Sequence, residues 1–433
     1  MPKQSAIKCR IRAHHLKSYE AVMNCVITLL LLLPCVPTNQ DDAGPVDYTR
    51  ELMGTQLDAE LQRIRTITGL KQEGMNPVVE AAIPRLDESA KKFAKEFSSG
   101  WYPGVLPPAV TSEIVAVLRP IAGKEKTAAY ETDLAARRAQ LIDAVVISAM
   151  VDIDQWVLLD ATQRKTIATI LRKQWPNVGR NRIPFSFQTM LNQSNDGSFP
   201  PGFPEAAIRM VLEDAQQEAW AFHKQRIREQ RGLAYNNVQQ YAVGELAKVS
   251  QHYSLILAER YQLSPAQTRK LIVSSKGVAA AVSSRRRNLP DPPTTFEGSA
   301  LRQVDPTAAI LCLSKWHDKA QRFLAPEHNR KYAKNQELRG QANRDTVIRS
   351  LVSQFADSHA FTAKEQEELI KLFVKTLPPD SRGTRSLFTN TCVEMAKVTD
   401  KELSRILREP QRAGIRKWFD HFQKVVNALD ADK

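Results

Sequence analysis

Three groups of residues have types and spacing that invite a chemical reading. His317 and Asp318 stand side by side next to Trp316, Asp152 and Asp154 lie two apart just before Trp156, and Arg285, Arg286 and Arg287 form the only basic triplet. A His–Asp pair or two carboxylates could serve acid–base catalysis, and clustered guanidiniums could hold phosphate or an acidic partner. Spacing argues against the first two. Adjacent helix positions point apart, so His317 reads as a surface or core-edge side chain, and a two-residue step is wrong for paired carboxylates on one helix face. The arginines precede a proline-rich turn, RRRNLPDPPTT, without flanking aromatics, and such a run is ordinarily solvated. Six histidines lie beyond residue 40, at 223, 252, 317, 328, 359 and 421, and none shares an i,i+4 metal face. GxxxxGK[ST], GxGxxG, HExxH and GxSxG are all absent, so the common phosphate, zinc and serine-nucleophile frames are missing and no cofactor is expected. Binding is favoured over catalysis. The enzymatic alternative is a hydrolase with an unfamiliar site beside the loops at 176–204 or 285–306.

The elements that would position such groups centre on the stretch from Asp154 to Trp175. It reads as the end of an apolar helix, a capped start at Asp160, and an amphipathic helix closing on Trp175 and Pro176. In a capping box the N-cap oxygen accepts a backbone N–H three residues on, and that residue's side chain reaches back. Asp160–Gln163, Ser264–Gln267, Thr362–Glu365 and Thr399–Glu402 all have this spacing, and Pro265 suits the first helical position. Leu159, Leu263, Phe361 and Val398 precede the caps as apolar anchors. The starts at 160, 264 and 362 lie 104 and 98 residues apart, a rhythm that internal duplication or coincidence would explain, and 399 breaks it. Losing part of one cap, by Gln163→Ala or Ser264→Ala, should cost about 1 kcal/mol or less. Trp175→Ala should cost about 3–5 kcal/mol if the ring is buried.

Composition fits a helical globular chain. Of 433 residues, 42% are hydrophobic, 25% are charged and only 17 are Gly, and no series of alternating strands is visible. The net charge of +14 includes +4 from Lys3, Lys8, Arg10, Arg12 and Lys17 against Glu20, which leaves +10 spread over the remainder. That surplus suits anionic partners, but because it is spread rather than gathered into a patch, a solvated surface with more Lys and Arg than Asp and Glu is the favoured reading. The basic start followed by CVITLLLLL (Cys25–Leu33) has the form of a secretory signal and is too short to span a bilayer, which takes about 20 apolar residues. A retained anchor is the alternative. Beyond it remain Cys312 and Cys392, which an oxidising compartment would allow to pair but which are read in preference as unpaired buried thiols, and the absence of CxxC leaves no zinc framework.

Along the chain, helices are expected from Tyr48 to Leu70, from Pro77 to Gly100, from about 111 to Pro120 and from Thr127 to Leu158, the last apolar almost all round in its second half. A loop follows, then two long helices from Glu205 to Arg231 and from Leu233 to Tyr261. Glu327–Gln341 reads as polar and exposed, ahead of helices near 343–357, 363–376 and 399–429. The division is 1–40 signal, 41–176 N-terminal helical domain, 177–204 loop, 205–284 long helical hairpin, 285–306 linker and 307–433 C-terminal helical domain.

Leu159-Asp160-Ala161-Thr162-Gln163-Arg164 with Trp175 downstream resembles the LTxxQR…W blocks of uncharacterised secreted helical proteins of planctomycete-type bacteria. Together with Leu263-Ser264-Pro265-Ala266-Gln267, it is also similar to the LTxxQ motif of periplasmic stress proteins of the Spy/CpxP type. Asp160 and Ser264 stand where those families have Thr, and from Phe361-Thr362 the Gln comes one residue late, at Gln366. The resemblance covers some forty residues and implies that Leu159, Asp160, Gln163, Leu263, Ser264 and Gln267 shape helix junctions rather than hold ligands. The expectation is therefore an exported all-α protein, a set of stacked helical hairpins or an irregular helical bundle. It would act by binding, either as a chaperone-like stress protein or as an envelope scaffold on anionic polymer. Its partners would be proteins or such polymers, with no specific nucleic acid and no transmembrane helix in the mature chain.

Overall fold

The computed structural model describes residues 45–96, 106–175, 199, 202–230, 238–286, 316–377 and 387–431. Among these residues the chain is all-α, with no strand. In chain order the helices are α1 (Pro45–Thr68), α2 (Asn76–Glu96), α3 (Pro108–Ala122), α4 (Lys124–Val157), α5 (Ala161–Gln174), α6 (Glu205–Arg209) and α7 (Asp214–Gln230). They continue with α8 (Val238–Arg260), α9 (Pro265–Arg286), α10 (Pro326–His359), α11 (Ala363–Thr376), α12 (Leu387–Ala396), α13 (Asp400–Leu403) and α14 (Glu409–Ala431). None of the described helices is long and apolar enough to cross a membrane.

Burial is organised into three apolar clusters. The first gathers Met53, Ile64, Val78, Val110, Ile114 and Leu118 from α1–α3. The second gathers the C-terminal half of α4 with α5 and α7–α9. The third unites the C-terminal half of α10 with α11–α14. The two 34-residue helices, α4 and α10, tie the clusters together. Tyr130 of α4 lies in the first cluster and Val145–Val157 in the second, while Tyr332 of α10 lies in the second and Ile348–Ala356 in the third. At 1.5 Å per residue each rod is about 50 Å long, enough to reach from one cluster into the next. α4 and α10 also pack on each other.

α4 and α10 end alike. Leu158 (φ 49°) and Ala360 (φ 56°) are left-handed, Leu159 and Phe361 bury completely, Asp160 and Thr362 cap, and helices of 14 residues follow. The buried Trp175 and Leu377 close those helices. A left-handed non-glycine residue costs about 1–2 kcal/mol, offset here because the reversal drops the next side chain into the core. Gln262 (φ 50°), before Leu263 and Ser264, makes the same turn between α8 and α9.

Several expected boundaries shift. Residues 326–359 form one continuous helix, although the stretch 327–341 reads as exposed: Tyr332 and Arg339 are buried because α4 supplies partners for this polar half. The helix expected from 205 breaks after Arg209, where Met210, Val211 and Leu212 turn through short backbone bonds before α7 begins. The helix expected over 399–429 divides in the same way after Leu403, with α14 starting at Glu409. α3 begins earlier than expected, at Pro108, where the first turn has no use for the missing N–H, and it continues past Pro120 to Ala122.

Candidate functional site

The residues singled out by spacing fall mainly at the helix junctions. Asp160 Oδ1 accepts from Gln163 N at 2.8 Å, and Gln163 Oε1 accepts from Asp160 N at 3.0 Å. Ser264 and Gln267 make the same exchange at 3.3 and 2.9 Å on the exposed surface. Thr362 and Glu365 do so at 3.3 and 2.7 Å, and Thr399 and Glu402 at 3.3 and 2.8 Å. Leu263 is half-buried against the second cluster. Trp175 is buried and meets Phe203 edge-on, ring centroids 5.4 Å apart.

Two boxes are hubs rather than simple caps. Buried Gln163 also donates from Nε2 to Val211 O at 3.1 Å and to Gln216 Oε1 at 2.7 Å. Gln216 reaches back to Glu213 N at 2.9 Å and donates to Val157 O at 2.8 Å, which stitches the start of α7 to the end of α4. In the C-terminal half Gln411 takes the corresponding place: its Oε1 accepts from Arg408 N at 3.0 Å, and its Nε2 donates to Ala360 O at 3.4 Å and Glu365 Oε2 at 3.3 Å. Spacing missed Gln216 and Gln411 because Glu213 and Arg408 are not capping residues; only the reach-back half of the box is present.

The charged groups of the interior close on these junctions. Asp154, whose side chain is 2% exposed, accepts from Arg339 Nε at 2.8 Å and Nη2 at 2.9 Å and from Arg164 Nη1 at 3.1 Å. Both arginines then donate to Leu159 O, at 2.9 Å from Arg164 and 3.0 Å from Arg339. Burial pulls the Arg339 guanidinium down, but Asp154 outweighs it and the group stays above its ordinary range. Arg164 is held below that range, by burial first and by the like charge of Arg339.

A second closed network begins at Glu60 of α1. It accepts from Arg63 at 2.8 Å, from Arg137 at 3.0 and 2.5 Å, and from the Tyr130 hydroxyl at 2.9 Å. Burial alone would raise its carboxyl; Arg137 and Arg63 reverse that and hold it below the usual range. Arg63 continues to Phe361 O at 2.9 Å and to Ala356 O, so the first helix caps the end of α10. Asp133 of α4 accepts from Ala363 N at 2.7 Å and from Arg137 Nε at 2.7 Å, which caps α11 from outside.

No family model, curated protein or solved structure matches this chain. The chemistry is therefore read from the geometry. Glu60 and Asp154 have their oxygens occupied by guanidinium groups, which leaves neither placed to take a proton from a substrate. His317 Nδ1 faces the Tyr332 hydroxyl and the Gln336 amide, with Trp316 edge-on to its ring, and this is a core-edge setting. His223 stacks on Trp156 with centroids 5.4 Å apart. Among the described residues no group of three His, Cys, Asp or Glu could hold a metal ion. Cys392 is buried, and Cys312 lies outside the described residues.

Arg285 and Arg286 form the last residues of α9, whereas Arg287 lies outside the described residues. That helix also carries three basic residues that spacing alone did not single out, Arg269, Lys270 and Lys276, all exposed.

Proposed function

We propose that this protein is a non-enzymatic helical scaffold that works by electrostatic attachment to an anionic polymer, as an envelope scaffold would. The observation that carries the reading is how its charge is divided. Glu60, Arg63, Asp154, Arg164, Arg339 and Arg344 are spent inside, closing helix junctions. These six are four arginines and two acids, so of the net +14 set by 61 Lys and Arg over 47 Asp and Glu, +12 lies outside these junctions. The basic residues and apolar run at 3–33 support export, which would place that surface among envelope polymers.

The chaperone reading draws less support. A client-binding face needs contiguous apolar surface. The exposed large apolar side chains among the described residues are Val46, Ile83, Met210 and Val273, on α1, on α2, after α6 and on α9 respectively. The deciding experiment titrates the purified protein with a panel of labelled polyanions over a range of salt, alongside light scattering of an aggregating client. Affinity that falls with rising salt, without suppressed scattering, is the expected result. Absence of polyanion binding at low salt would end the scaffold reading, and suppressed scattering at equimolar protein would replace it with the chaperone.

A further inference from the structure

α9 differs from its neighbours in composition and in packing. Its 22 residues, PAQTRKLIVSSKGVAAAVSSRR, contain Arg269, Lys270, Lys276, Arg285 and Arg286 and no carboxylate. Its packing partner is α8, against which Leu271, Ser275, Val278 and Ala279 are buried. The opposite side faces solvent with Arg269, Lys270, Lys276, Ala266, Gly277 and Ala280. Arg172 is exposed as well, but Asp143 holds it at 2.8 Å, and Glu259, the last acid before α9, is engaged in capping α7 through Asp214 N and Ala215 N at 3.3 and 2.8 Å. The charge of α9 thus meets no carboxylate within its own helix, and Glu259, the last acid before it, is committed elsewhere.

We propose that the solvent face of α9 is a docking strip for a linear phosphate polymer that carries neither bases nor acyl chains. This rests on the anionic-polymer reading above and deepens it by naming the surface and the chemistry. The rise of a helix puts Arg269 and Lys276 about 10 Å apart along one face, with Lys270 beside them, so these three bases follow a line rather than ring a pocket. A guanidinium fork suits phosphate oxygens and a lysine supplies a point charge beside it. Ala266, Gly277 and Ala280 between the bases have little side chain to hold an extended polymer away from the helix. The strip has no aromatic ring on which a base could stack, which disfavours single-stranded nucleic acid. Its apolar side is buried on α8, so it has no face to insert into a bilayer. Among the described residues Val273, 68% exposed, is the one exposed large apolar side chain of α9 and is too little to anchor a folded acidic protein, whose binding would centre on buried aromatic or Arg contacts.

Long-chain inorganic polyphosphate is the probe, titrated calorimetrically at low, intermediate and high salt. The parent should bind with log K falling linearly in log salt. Arg269→Gln/Lys270→Gln/Lys276→Gln should bind about tenfold or more weakly at low salt, with the salt slope reduced by about 2, the share of three phosphate contacts on a single strand. Lys91→Gln/Lys92→Gln/Lys126→Gln removes equal charge from exposed positions elsewhere and should leave binding near the parent. Far-UV circular dichroism and thermal melts check that both variants fold.

Equal weakening by the two variants would overturn the strip while leaving the polyanion reading in place. Failure of the parent to bind polyphosphate, while it bound poly-glutamate, single-stranded DNA or anionic vesicles, would overturn the phosphate-chain occupant. Failure to bind any of these would end both readings. A charge-dependent loss confined to the α9 variant supports the proposal.

Discussion

Replacing Asp154 by Asn probes the charge balance on which the centre of the molecule depends. The substitution keeps the shape and removes one negative charge from a site where two guanidiniums converge. Asp154 accepts three bonds of 2.8–3.1 Å from Arg339 and Arg164. An Asn side chain offers one acceptor oxygen and turns an amide N–H₂ toward a positive group. Breaking a buried pair from one side typically costs about 3–5 kcal/mol, because the remaining charge stays desolvated. Here two charges are stranded, so Asp154→Asn should fall at the upper end of that range. Arg339→Met should cost less: Arg164 still neutralises Asp154 and still donates to Leu159 O. The assay is urea unfolding followed by far-UV circular dichroism, with midpoints and slopes compared at pH 7. A parent-like midpoint for Asp154→Asn, or a larger loss for Arg339→Met than for Asp154→Asn, would refute the reasoning.

The two amide boxes should behave differently, although their local spacing is the same. Gln163→Ala removes the donor to Val211 O and one of the two donors to Gln216 Oε1 as well as half of the cap, so it should cost about 2–3 kcal/mol, more than the ~1 kcal/mol its spacing alone implies, while the exposed Ser264→Ala should cost about 1 kcal/mol; equal denaturation midpoints would contradict this. At Gly414 an added Cβ would lie 2.3 Å from His359 Cε1, so Gly414→Ala should destabilise by about 1–3 kcal/mol despite the better helix propensity of Ala, and His359→Ala in the same chain should restore part of the loss in a double-mutant cycle. Glu60 titrates below its ordinary 4.5 in the folded state, so its stabilisation is present above that pH and is lost as pH falls through the folded value. Glu60→Gln should therefore lower the melting temperature at pH 7 and shrink its gap to the parent as pH drops below about 4.5, which melts across that window would show.

What could be read from the residues alone was the local part of the design. A capping box spans three residues, so its signal survives in one dimension. The starts of α5, α9, α11 and α13 follow from Asp160, Ser264, Thr362 and Thr399, and the all-α class follows from such starts with low glycine content and helical periodicity. The left-handed ends at Leu158, Gln262 and Ala360 left no mark, because none is glycine and the conformation is imposed by burial of the next side chain. Nor could Asp154 be told from Asp152 by spacing. Its role is set by Arg339, 185 residues away, just as the role of Arg63 is set by Phe361, 298 residues away. The polar first half of α10 reads as exposed for the same reason: Tyr332 and Arg339 become interior residues once α4 and its neighbours supply their partners. Capped helix starts depend on contacts within one turn and are encoded locally. The pairing of buried charges depends on which helices meet, and only the tertiary structure decides that.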